Sequence, residues 1–435
     1  MKRFLTLVCT VMILISTVSC GEEAKGKPQK FRIDVHAVAS TKDDPLIAWL
    51  EDCANEWSGE KYQIEITSIF TDNANWMIEH KKTLDVPEVS ADLVLLTPGE
   101  LSYYADTETI LPMDQYMEQN EAWDPDIYID SLLENSSVDG KLYGIPVLSE
   151  TQGLWYRKDI LTQIGLPEEP EINTWEEFLS ILKTIKQNCP EVLPFFHFGD
   201  LSQMTVFNAG GKFIDEKQNK WVSQSTPYRE TFEFVEQLAV NDLVTVNGIS
   251  PGKETRQEYT QMFREGKIAF CLDGNFFREM NENNIYTPWE NFSEDVGFLP
   301  FPSMDGSKPY VQNTMRHFVI PKYSRYPEEV FDFIQYCMSS KSYGEMAVQT
   351  PYLPTTKSAA ELSYYTDDPI RSVQVDLLSN TKNLMRIERF NPPFGGFSQL
   401  LLSVESGEVT AQKAFDSYPV IATNRFSESD LIVLP

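Results

Sequence analysis

Residues 140–159 read GKLYGIPVLSETQGLWYRKD. The polar turn Asp139-Gly140-Lys141 opens the stretch, its glycine suited to a tight reversal. Residues 143–147 are predicted to run extended, because Pro146 fixes its own φ and pushes Ile145 out of the helical region. A polar break follows at Ser149-Glu150-Thr151-Gln152-Gly153, then the apolar run Leu154-Trp155-Tyr156 and the charged turn Arg157-Lys158-Asp159. Two readings fit these residues. Either the backbone leaves one compact body and enters another, with a carboxylate and an amide at the crossing, or it forms a hairpin within a single sheet.

The surrounding chain bears on that choice through its length. At 435 residues it exceeds one comfortable hydrophobic core, so two lobes are expected. Apolar residues make up 42% and charged ones 23%, the balance of a soluble globular protein. A formal charge of −29 repels phosphate backbones, so nucleic acid is not an expected partner. Upstream, Lys2-Arg3 precede an apolar run at residues 4–18 that is too short to span a bilayer, the pattern of a secretory signal over residues 1–19. It ends Thr17-Val18-Ser19-Cys20-Gly21, close to a bacterial lipobox with Cys20 as the lipid-modified first mature residue, although Thr17 replaces the usual Leu. Plain secretion is the alternative. Residues 20–30 are polar and fit a tether from membrane to body. Cys53, Cys189, Cys271 and Cys337 lie far apart within or beside apolar-periodic runs, which favours buried thiols over a disulfide framework.

Toward the N-terminus, residues 31–37 alternate as a strand. A helix after Pro45 places Leu46, Trp49, Leu50, Cys53 and Trp57 on one face. Residues 62–70 and 92–96 read as further strands, and strand–helix–strand repetition predicts a parallel sheet. Ligands sit beyond the carboxyl ends of such strands, which directs attention to loops 40–44, 71–76 and 97–101, with Trp76 and Glu100 as candidate contacts. Downstream, Thr174 and Glu177 make a capping box ahead of a helix stripe at Trp175, Phe178, Leu179, Leu182 and Ile185. Residues 194–200 form an aromatic strand and loop, Pro227 starts a helix, and the strand 268–272 ends in the turn Asp273-Gly274-Asn275 before Phe276-Phe277. Residues 296–302 and 350–355 read as further crossings, and Phe394-Gly395-Gly396-Phe397 precedes a helix running to Ser406-Gly407.

The ordered set Gly140-Lys141-Leu142-Tyr143-Gly144-Ile145-Pro146, Tyr156-Arg157-Lys158-Asp159, Gly165-Leu166-Pro167 and Thr174-Trp175-Glu176-Glu177-Phe178 resembles the extracellular solute-binding proteins, family 1, of ABC importers, the maltose-binding-protein-like group. The resemblance extends from about residue 31 to 418 and implies an α/β, two-lobed periplasmic-binding-protein-like fold, each lobe a central sheet flanked by helices and joined by a multi-strand hinge. It implies lobe 1 at 31–147 and 303–350, and lobe 2 at 148–302 and 351–435. By position it makes Glu150 a cleft carboxylate that accepts ligand hydroxyls, or else a solvated hinge residue. Phe276 and Phe394 fall where sugar-binding members stack an aromatic ring, though each also reads as core. Asp273 and Asn275 flank the Gly274 turn as ligand contacts or caps, and Asp200 lies in a loop corresponding to a ligand-contacting one. Trp155 reads as core.

GxSxG, GxGxxG, GxxxxGK[ST] and HExxH patterns are absent, and the histidines at 36, 80, 197 and 317 lack metal-ligand spacing, so neither cofactor nor metal is expected. Asp124, Asp126 and Asp130 read as a solvated turn rather than a calcium loop. The expectation is a monomeric, lipid-anchored, extracytoplasmic binding protein that captures a carbohydrate, an oligosaccharide by family habit, and passes it to a membrane permease. The rivals are an extracellular carbohydrate-active enzyme and a ligand-sensing lipoprotein.

Overall fold

The computed structural model describes residues 31–39, 44–59, 61–70, 75–96, 100–199, 201–215, 217–244, 253–282, 289–382, 391–424 and 426–435. The signal, Cys20 and the tether lie outside them, as do Asp200 and most of the loops at 40–44, 71–76 and 97–101.

A seven-stranded sheet organises the first lobe. Phe31–Ala39 pairs in parallel with both Tyr62–Phe70 and Leu93–Leu96. The helices Pro45–Ser58 and Trp76–Asp85 make the two crossovers that a parallel sheet requires. Asp44 caps the first of these by accepting from the Leu46 amide at 3.1 Å, and Pro45 occupies the first turn, where a missing N–H costs nothing. Leu46, Trp49, Leu50 and Cys53 are buried as the helical spacing predicts. Val311–Val319 then runs antiparallel between Leu93–Leu96 and Ile145–Thr151, and Leu353–Pro354 covers the far side of Ile145–Thr151.

The second lobe has a four-stranded sheet in the order Val296–Leu299, Gly153–Arg157, Ile268–Asp273, Leu193–His197. The Thr174–Glu177 capping box forms, and the helix Trp175–Asn188 buries Trp175, Phe178, Leu182 and Ile185 against this sheet. A small sheet of Leu431–Val433, Lys220–Gln224 and Ile214–Asp215 stands beside it. The lobes have separate cores. One gathers Ile33, Val35, Trp49, Leu95, Leu148 and Phe333, the other Phe178, Phe195, Phe270, Trp221, Phe397 and Tyr418.

The expected polar break at Ser149–Gly153 is not a break. Ile145–Thr151 is one strand of the first sheet, the chain passes over at Gln152, and Gly153 already begins a strand of the second. Polar side chains stay extended here because they are paired: Asn313 Nδ2 donates to Ser149 Oγ at 2.6 Å, and the Thr151 amide donates to Asn275 Oδ1 at 3.2 Å. The later passages also fall a few residues beyond the expected points. Val296–Leu299 still belongs to the second sheet, and Met304 and Tyr310 amides remain bonded to Asn208 there. Leu353 pairs with Ser149 in the first sheet. The Phe394-Gly395-Gly396-Phe397 segment lies inside the helix Asn391–Glu405 rather than ahead of it. A Cβ on Gly396 would come within 2.5 Å of Ile421, so this glycine serves close helix packing, not a turn.

Gly153 is packed closely against the neighbouring strand Val296–Leu299 of its own sheet. A Cβ there would lie 2.4 Å from the Phe298 ring and 2.6 Å from the Leu299 carbonyl oxygen. Gly153→Ala is therefore expected to lower the unfolding free energy by about 2 kcal/mol through overpacking. Urea unfolding followed by tryptophan fluorescence measures it, and an unchanged midpoint refutes the contact.

Candidate functional site

The crossing brings the Asp273-Gly274-Asn275 turn of the second lobe onto the end of Ile145–Thr151. Glu150 pairs in register with Thr314, whose hydroxyl donates to Glu150 Oε2 at 3.0 Å. The other carboxylate oxygen lies against Gly274, where a Cβ would approach it to 1.9 Å; only glycine admits this contact. Burial, reinforced by the nearby Asp273 charge, raises the Glu150 pKa to about 7, against the opposing pull of Thr314, Arg256 and Arg316.

Asp273 ends the strand Ile268–Asp273 and is buried. Arg256, on the helix Lys253–Arg264, donates to both its oxygens at 2.7 and 3.2 Å, and the Gly274 amide donates to Oδ1 at 2.9 Å. Burial still outweighs these partners, so the Asp273 pKa stands above its ordinary value. The Arg256 guanidinium rests 4.1 Å over the Phe198 ring. Trp155 is fully buried, as the apolar run predicts, and its indole N–H donates to the carbonyls of Asp273 and Gly274 at 3.3 Å, fixing the turn from below.

On the other side, Arg316 donates to the Tyr352 hydroxyl at 2.7 Å and lies 4.7 Å over its ring. Tyr352 meets Phe276 edge-on, centroids 5.0 Å apart. The Tyr352 phenol is pushed above its usual range, chiefly by burial; Arg316 pulls it down, while Glu150 and Asp44 push it up. The arrangement offers acceptors, guanidinium donors and two ring edges along one seam between lobes, a set that can bind hydroxyl-rich, partly apolar molecules.

Of the residues singled out from sequence, Glu150, Asp273, Asn275 and Phe276 come together here. Glu100 and Trp76 form a different group on the first lobe around His80, with His80 Nε2 3.2 Å from Glu100 and the Trp76 and His80 rings 6.4 Å apart. Phe394 stands edge-on to Phe213 at 5.2 Å against the second core. Asp200 lies outside the described residues; just before it, His197 is buried between Glu405, at 2.9 Å, and the Gly199 carbonyl, at 2.7 Å. Sequence reasoning missed Arg256, Thr314, Arg316 and Tyr352. Tyr352 alone had a signal, its place in the Thr350-Pro351-Tyr352-Leu353-Pro354-Thr355 crossing.

Among the described residues no group of His, Cys, Asp and Glu is placed to hold a metal ion, and no helix is long and apolar enough to cross a membrane. His317 is driven down to about 3 by burial and stays neutral. Asp124 accepts from the Asp126 amide in an exposed turn.

Residues 55–373 match the family of bacterial extracellular solute-binding proteins. An uncharacterized ABC transporter extracellular-binding protein of Pyrococcus horikoshii is 24% identical over 269 residues, 59% of this chain and 58% of that relative, so the match spans little more than half of the relative's length. The galactooligosaccharide-binding protein of Bacillus subtilis is 22% identical over 370 residues, 81% of each chain. The structure of the sugar-binding protein MalE from Xanthomonas citri superposes with a TM-score of 0.76 at 19% identity, covering 91% of this chain and 98% of the other. At that identity the likeness shows the two-lobed fold.

Proposed function

This chain belongs to the bacterial extracellular solute-binding proteins, and on that premise we propose that it is the extracytoplasmic binding component of an ABC importer, taking a carbohydrate into the seam between its lobes. The observation that carries this reading is the convergence of Glu150, Asp273, Asn275, Arg256, Arg316, Phe276 and Tyr352 from both lobes on one hydrogen-bonded junction. A sugar packs its C–H face on a ring and needs acceptors and donors for its hydroxyls, and the junction offers both. A relative that binds galactooligosaccharides supports an oligosaccharide as the ligand.

Because such a ligand touches both lobes, its binding free energy is greatest when they are closed, and closure follows as a population shift. The lobes divide at the passages near Gln152, between Leu299 and Val311, and after Pro354. Residues 1–19 are removed on export, Cys20 carries lipid, and the monomeric body delivers its cargo to a membrane permease while other chains hydrolyse ATP. Phe276, Glu150, Asp273 and Asn275 are the contacts we assign to the ligand.

A thermal-shift panel of galactooligosaccharides, maltodextrins and monosaccharides, followed by calorimetry, tests this. At least one oligosaccharide should raise the midpoint, since a ligand selective for the folded state must; no shift across the panel ends the carbohydrate reading. With that ligand, Phe276→Ala is expected to weaken binding by roughly 1–2 kcal/mol, about tenfold, through loss of the ring surface. Unchanged affinity by calorimetry would make Phe276 a partner of Tyr352 only.

One observation favours a second reading. A carboxyl group near pKa 7 beside a second carboxylate is what glycoside hydrolysis uses. Prolonged incubation with the bound oligosaccharide decides it: cleavage that disappears in Glu150→Gln would make the protein an enzyme, and intact ligand leaves it a binder.

A further inference from the structure

The first lobe holds a pair of thiols that the junction does not use. Cys53 lies on the helix Pro45–Ser58 and Cys337 on the helix Pro327–Ser339, both free and essentially without solvent contact. Contacts between these helices form a ladder. One turn after Cys53, Trp57 packs on Phe333, one turn before Cys337, with ring centroids 5.4 Å apart. About one turn before Cys53, the Trp49 indole N–H donates at 3.2 Å to Ser342 of the following helix, Lys341–Ala347. Alongside, the Tyr336 hydroxyl donates to Glu56 at 2.8 Å. Rungs at 57/333 and 56/336 describe an antiparallel helix pair, and in that register the next rung is Cys53/Cys337. That register sets the two buried thiols beside each other, near the Ser342 and Ser340 hydroxyls.

We propose that Cys53 and Cys337 are a disulfide-forming pair that staples these two helices when the protein meets an oxidising extracytoplasmic environment. A hydrogen bond from Cys337 holds the Cys53 thiol below its ordinary range, while burial pushes Cys337 well above, so Cys53 is the first nucleophile. The oxidant is a disulfide, either a small one or that of a dithiol oxidase. The Cys53 thiolate attacks one of its sulfurs and expels the other as a thiolate, which takes up a proton. Cys337 then gives up its proton, attacks the Cys53 sulfur of the mixed disulfide and expels the second thiolate. Two protein thiols lose two electrons, and the oxidant's disulfide becomes two thiols. Because both sulfurs are buried, the bond forms as the chain folds or as the helices locally part. Cys189 and Cys271 belong to two different clusters of the second lobe and have no such counterpart.

The full chain, refolded from urea with oxidised glutathione or with dithiothreitol, tests the pairing by alkylation and non-reducing peptide mapping. The expected product is a cross-linked peptide joining Cys53 to Cys337, with Cys189 and Cys271 alkylated. The oxidised protein should melt roughly 5 °C or more above the reduced one, since the bridge closes a long loop of the unfolded chain. That difference should vanish in Cys53→Ser and equally in Cys53→Ala, with ligand affinity unaltered. Alkylation of both Cys53 and Cys337 after oxidising refolding, a link to any other cysteine, or equal melting of the two forms overturns the proposal.

Discussion

Arg256→Ala is expected to lower the unfolding free energy by about 3 kcal/mol at pH 8, the scale for removing one member of a buried ion pair. The Arg256 side chain is one-third exposed and its partner Asp273 only 7%, so the damage falls on the residue left behind. Asp273 would keep a single amide, that of Gly274, for a carboxylate that burial already disfavours. Its pKa, raised even in the intact protein, should rise further. The cost is therefore greatest at alkaline pH, shrinks as the pH falls through that raised value, and is least once Asp273 is protonated in both folded and unfolded chains. Asp273→Asn in the Arg256→Ala background should recover much of the loss, because an amide needs no counter-charge. Urea midpoints of the single and double variants at pH 5 and pH 8 give the coupling; purely additive effects would show that the ion pair does not support the turn.

Glu150→Gln should do the opposite and stabilise the ligand-free protein by up to roughly 3.5 kcal/mol at pH 8, counting about 1.4 kcal/mol per unit of pKa displacement. The group's pKa is about 7 when folded and ordinarily 4.5. Below pH 4.5 both states hold the proton and the variant gains nothing. As the pH rises toward 7 the unfolded chain releases a proton that the folded chain retains, and native stability drains away until the folded carboxyl also ionises. The two melting curves should therefore coincide near pH 4.5 and part by pH 8. Ligand affinity should fall in the same variant, since Gln offers one acceptor oxygen where the carboxylate has two. A variant that melts alike at both pH values would mean that Glu150 is fully solvated.

These effects concern residues of unequal legibility. Glu150 could be found because it precedes a Tyr-Arg-Lys-Asp turn at a readable spacing, and Asn275 and Phe276 because they follow a strand ending in an Asp-Gly turn. The strands Tyr62–Phe70 and Leu93–Leu96 were visible for the same local reason, their apolar pattern. Arg256, Thr314 and Arg316 carry no such mark. Thr314 reaches Glu150 only through an antiparallel pairing between residues 164 positions apart, a register set by the finished sheet. Trp155 was readable as core, yet its indole bonds backbone carbonyls, and acceptors common to every residue leave no trace in residue types. The polar run at Ser149-Glu150-Thr151 misleads in the other direction, since composition alone cannot tell a solvated turn from a strand whose hydroxyls are all engaged.

The position of Val311–Val319, between Leu93–Leu96 and Ile145–Thr151, also bears on how the molecule is assembled. Synthesis delivers the two neighbours long before the strand that must slot between them, so the amino-terminal sheet waits with an open gap while the inserted body matures. Closing that gap joins partners distant along the polypeptide, the kind of step that is slow. The portion made first is the portion completed late.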